Sequence, residues 1–135
     1  MNKDVVKEMS EKGKEKEQSF LDKNNNSVKL KGGKIIFGKF KNKDKKEAYL
    51  NALERSEKYN KLSKEKRELL IENDTQEWIV AFMIQRGMGF LKGKNVNETY
   101  ENLLELDFED AYKLGHAAGE FLNKVQGDIK KKSKN

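Results

Sequence analysis

Two residue types are missing from this 135-residue chain, cysteine and proline, and it carries one histidine and one tryptophan. Without cysteine, disulfides and thiolate metal sites are excluded, which fits a reducing cytosol. Without proline, glycine and asparagine must punctuate the chain. With His116 alone, an imidazole-based metal site or a nucleophile–histidine–acid triad lacks members. No apolar run approaches the ~20 residues of a membrane span, and the first residues form no apolar signal region. These absences argue against an enzyme, a cofactor, a resident metal and membrane insertion, so no catalytic, cofactor-binding or metal residue is assigned.

What the chain has in abundance is charge: 39% charged against 35% hydrophobic residues, a net +6 and a pI near 9.3. Lysine greatly outnumbers arginine and acids are interleaved throughout. The basic balance therefore reads as a solvated surface more readily than as specific nucleic-acid recognition. Polarity is uneven. Residues 1–27 are almost entirely polar, Lys130, Lys131, Lys132 and Lys134 crowd the end, and the apolar residues gather between Val28 and Val125. The expected organisation is a polar N-terminal segment over 1–27, flexible or partly helical, one domain over 28–124, and a flexible lysine-rich tail over 125–135. A core of roughly 95 residues is only marginally stable alone, so a partner or self-association would help.

The fold class this predicts is mainly α, with a short β-hairpin over about 28–40 followed by four to five helices. The hairpin signal is Val28–Lys31 and Lys34–Phe40 separated by Gly32-Gly33, both able to take positive φ. A thin amphipathic pattern over 3–21 suggests a polar helix with Phe20 and Leu21 standing alone, and residues 22–27 read as a loop. Asp44 with Glu47 suggests a capped start to a helix reaching Leu62. Ser63 suggests a second start, and Asp74 with Glu77 a third, ahead of the buried segment Trp78–Ile84, which stops at Gly87. Asn95 opens a short helix to Leu104, and Asp107 with Asp110 opens the last, ending near Lys124.

The motifs carry little chemistry. Gly87 to Gly93 lacks the spacing and hydroxyl of a phosphate loop and reads as a helix–helix connection. The acids Glu105, Asp107, Glu109 and Asp110 suit a helix N-terminus. Gly115 and Gly119, four apart, form a small face that either closes the core or receives another helix. Partner-binding candidates are Phe82, Met83, Met88, Phe90, Tyr100, Tyr112, Gly115, Gly119, Phe121 and Leu122.

The order of elements resembles that of the tail assembly chaperones of long-tailed bacteriophages. The resemblance rests on Lys29-Leu30-Lys31-Gly32-Gly33-Lys34-Ile35-Ile36-Phe37, a basic stretch ending in Asp44, then Leu103, Leu104, Leu106, Asp110 and Ala111, and a closing Ala117, Gly119, Glu120, Phe121 and Leu122. It implies a protein of the host cytoplasm that binds the tape-measure protein non-covalently, keeps it soluble and helps tail-tube protein assemble around it. It also implies a longer, frameshifted form, for which Lys130-Lys131-Lys132 lies in a suitable place. The alternative is a small basic phage protein that uses Lys29, Lys31, Lys34, Lys39, Lys41 and Lys43 to bind nucleic acid or that inhibits a host defence protein.

Overall fold

The computed structural model describes residues 19–133. Most of the polar helix expected over 3–21 lies outside them. Within these residues lie a three-stranded antiparallel sheet in the order β1-β2-β3 and four α-helices, matching a mainly α fold opened by a hairpin. β1 is Ser27–Leu30 and β2 is Gly33–Ile36, with Val28 opposite Ile35. Period-two alternation puts Val28, Leu30, Ile35 and Phe37 on the buried face and Lys29 and Lys34 outside.

The hairpin differs from expectation by one residue. Leu30 pairs with Gly33, so the loop is Lys31-Gly32, and of the two glycines Gly33 alone has positive φ. Tertiary anchors set this register: the Lys31 ammonium pairs with Asp107 at 2.9 Å and Glu109 at 3.2 Å. The ring of Phe90 lies over the turn, where a Cβ on Gly32 would come within 2.7 Å of it. β2 ends at Ile36 rather than near Phe40, because the next amide, Phe37, donates to Asn26 and Gly38 donates to Met83. The third strand, Met88–Gly89 (β3), pairs with Ile35 and Ile36 and falls where a plain connection was expected. Two residues are too few to show a pattern in sequence.

Helix α1 spans Asn42–Glu54. Asp44 stands in its first turn rather than at its cap, and its carboxylate accepts the Lys41 amide at 2.9 Å. Ala48 and Ala52, both fully buried, let α1 lie close against α2. α1 stops well before Leu62, and Ser56–Tyr59 form a single 3₁₀ turn instead. Helix α2 runs unbroken from Lys64 to Gln85, capped by the Ser63 hydroxyl, so the start expected at Asp74 does not exist. Nothing between Ser63 and Gly87 breaks a helix, and Asp74 instead faces inward to accept the Tyr59 hydroxyl at 2.8 Å. Trp78, Ala81, Phe82, Met83 and Ile84 make α2 the centre of the core.

Helix α3, Val96–Leu104, is capped by Asn95, which accepts the Glu98 amide at 2.9 Å. Helix α4, Phe108–Ser133, starts at Asp107, which accepts the Asp110 amide at 2.8 Å. It packs against β1 and α2. It passes the end expected near Lys124 without a break, since residues 125–133 contain no proline and include three lysines, which are good helix formers. The folded part also starts earlier than residue 28. Leu21 is buried, and Phe20 stacks edge-on against Tyr112 and His116.

Glycine has two opposite uses here. Gly38 and Gly87 lie where two backbones meet, and a Cβ on either would collide with the carbonyl of Arg86 or Ile36. Gly115 and Gly119 are exposed, and beyond the adjacent residues and the helix's own backbone no described atom lies within 4 Å of a Cβ built on them, so among the described residues their face does not close the core. Gly87→Ala is therefore expected to cost at least about 2 kcal/mol. Gly115→Ala and Gly119→Ala should each stabilise by about 0.5–1 kcal/mol through helix propensity. Urea denaturation of the three variants checks this, and a destabilising Gly119→Ala would contradict the open face.

Candidate functional site

The ten candidate partner-binding residues fall in separate places. Phe82, Met83, Tyr100 and Phe121 are buried, which corrects their assignment to an exposed surface: they hold the core. Met88 and Phe90 are exposed beside the hairpin, and Tyr112 is exposed next to Phe20. Gly115 and Gly119 line a groove of about 810 Å³ together with Ser19, Lys23, His116, Glu120, Asn123, Lys124, Gly127 and Asp128. That groove mixes apolar surface with a larger share of polar groups and bare backbone, so covering it also desolvates hydrogen-bonding groups.

Phe121 and Leu122 belong to a different site. At the C-terminal half of α4, Phe121, Leu122, Val125 and Ile129 face Phe37 and Phe40 across a groove of about 450 Å³. The rings of Phe37 and Phe121 lie 5.6 Å apart and form its floor. The groove opens outward along α4: Leu122 is half-buried, Val125 is 39% exposed and Ile129 is 61% exposed. Sequence reasoning missed Val125 and Ile129 by assigning them to a tail. The signal was present in Ala118, Leu122, Val125 and Ile129, whose spacing of four, three and four is one helical stripe.

The rim of the groove is basic. Lys39 stands on one wall and Lys124 on the other, with Asn26 and Asp128 as the remaining polar neighbours. The Lys124 ammonium donates to the Lys23 carbonyl at 2.7 Å and the Asn26 side-chain oxygen at 2.8 Å, both neutral acceptors. The wall that carries Lys39 leads directly into Lys41, Lys43, Lys45 and Lys46, all exposed. Of the hairpin lysines, Lys31 is committed to Asp107 and Glu109 and does not belong to this rim.

Two polar clasps hold the walls. Asp44, fully buried, receives a two-pronged hydrogen bond from Arg86 at 2.8 and 3.1 Å, tying the start of α1 to the end of α2. Burial alone would push its carboxyl up, but Arg86 and the Lys41 amide hold it below the usual carboxylate range. Glu120 on α4 receives the Ser19 hydroxyl and, at 2.9 Å, the Phe20 amide, with His116 Nδ1 at 3.3 Å. Burial pushes its carboxyl up too, and these partners outweigh it, leaving the pKa lowered.

A third polar group sits behind α2. Trp78 stacks on Tyr100 at 3.8 Å, and the Arg55 guanidinium lies 5.1 Å from each ring. Beside them burial and Asp74 raise the Glu77 carboxyl and push the Tyr59 hydroxyl up to about 12. The Tyr59 proton is thus committed to Asp74, a structural bond that pins the 3₁₀ turn to α2. Among the described residues no group of three or more His, Asp or Glu side chains is placed to hold a metal ion.

Comparison with protein-family models, curated proteins and solved structures finds no match.

The lowered carboxyls carry a pH expectation. Unfolded Asp and Glu titrate near about 4, above the folded values of Asp44 and Glu120. Their stabilisation is therefore complete above about pH 5 and lost as pH falls through the folded values. Asp44→Asn should cost about 1–3 kcal/mol near pH 7 and progressively less toward about pH 2, measured by urea denaturation. An equal penalty at both pH values would contradict the ion-pair account.

Proposed function

We propose that this protein is a tail assembly chaperone of a long-tailed bacteriophage, acting in the host cytoplasm by non-covalent binding of the tape-measure protein. The observation that carries the reading is the apolar groove between Phe37 and Phe40 on one side and Leu122, Val125 and Ile129 on the other. A groove with a Phe37–Phe121 floor and an open outer end suits an extended apolar stripe on a client helix. The sequence resemblance supplies the identity of the client. The charged exterior, net +6, suits a role in keeping an aggregation-prone filament in solution.

Catalysis plays no part in this reading. Binding rests on burial of side chains, so affinity depends on apolar area and is reversible. The tail-tube protein is the second expected partner, meeting the chaperone–client complex as the tube grows.

Co-expression tests the proposal. The chain is expected to bring the tape-measure protein into the soluble fraction and to co-purify with it. Val125→Asp and Ile129→Asp should abolish co-purification, while the thermal midpoint of the chain alone stays within a few degrees, since both side chains are exposed. A client equally insoluble with and without the chain would overturn the proposal.

A further inference from the structure

We infer that the groove is built for an amphipathic helix with acidic flanks, a choice of partner chemistry that rests on the groove being the client site. The apolar floor sets only the need for an apolar stripe. The rim decides what stands beside that stripe.

The walls contribute Lys39 and Lys124 against a single acid, Asp128. Lys124 is held in place by two neutral oxygens, so its charge is fixed in position without being compensated by them. Past Lys39 the chain runs on through the exposed Lys41, Lys43, Lys45 and Lys46, with Glu47 the one exposed acid among them; none of these lines the groove itself. Asp44, within that run, is turned inward onto Arg86 and gives nothing to the rim. A helix lying in the groove therefore places both of its flanks against ammonium groups at close range. Acidic flanks gain on both sides, and basic flanks are repelled on both. A second copy of this chain docking by its own matching face does not meet the requirement, because that face would present the same lysines.

Two synthetic helical peptides test the inference. They share one apolar stripe of Leu, Ile and Phe at spacings of three and four, and differ only in having Glu or Lys on the polar flanks. Titrated into the full chain and followed by fluorescence anisotropy, the Glu peptide is expected to bind at least about tenfold more tightly at low salt. The margin should shrink as salt rises from about 50 mM to about 500 mM. Lys39→Glu should lower affinity for the Glu peptide by about three- to tenfold and raise it for the Lys peptide, and Ile129→Asp should remove binding of both.

Equal binding of the two peptides, or preference for the Lys peptide, would overturn the inference and leave the chaperone proposal standing if groove-dependent co-purification of the client persists. Binding of neither peptide also overturns it. Sedimentation then shows whether a second copy fills the groove, as a dimer abolished by Ile129→Asp, or whether the occupant belongs to the same chain. Loss of both peptide binding and client co-purification sinks the two readings together.

Discussion

The close approach of two backbones at Gly38 and Gly87 is the constraint on which the rest of the structure depends. There the end of α2 meets the segment leaving β2, near enough that neither residue has room for a side chain. The Gly38 amide donates to the Met83 carbonyl, and Asp44 locks the junction by gripping Arg86 with both carboxylate oxygens. Because the chain turns here, β3 can pair with β2, and Phe90 can lie over the hairpin turn. The same junction directs Phe37, Lys39 and Phe40 toward α4, where they become one wall of the groove.

The other wall follows from helix continuity. α4 is held along its first half by the buried Leu114, Ala117, Ala118 and Phe121, and the Ser19–Phe20 clasp on Glu120 fixes its orientation. Past Phe121 the helix goes on while the core that covers it does not, so Leu122, Val125 and Ile129 extend the stripe into solvent. A partner that covered Val125 and Ile129 would gain about 1–2 kcal/mol at each. Set against the cost of association, such a groove supports a weak or moderate complex rather than an irreversible one. A reversible hold is what the proposed chaperone role would require.

Elements whose signals are local were legible in the sequence. Ser63, Asn95 and Asp107 each cap a helix where expected, because a short polar side chain meets the free amides two or three residues on. The burial of Trp78–Ile84 was also legible, from a segment apolar nearly all round. Asp74 misled for a physical reason: the same carboxylate that can cap a helix can accept a tyrosine hydroxyl from inside one. The single 3₁₀ turn and the shifted hairpin loop were hidden as well, since both are held by residues distant in sequence. Of the groove's lining, Phe121 and Leu122 stand among the residues the sequence singles out, Phe121 as its buried floor, while Phe37, Phe40, Val125 and Ile129 do not.

By itself, then, the sequence determined the mainly helical class, the helix starts at Ser63, Asn95 and Asp107, and the burial of Trp78–Ile84, because capping and periodicity act over a few residues. It also determined the excess of lysine over acid. Only the tertiary structure decided which apolar residues are core and which are left open. Phe82 and Tyr100 are as apolar as Val125 and Ile129, and what separates them is how many layers pack above each. It likewise decided that Lys39 and Lys124, 85 positions apart in the chain, share one rim. Burial and charge complementarity arise between segments, and no local pattern encodes the distance that folding removes.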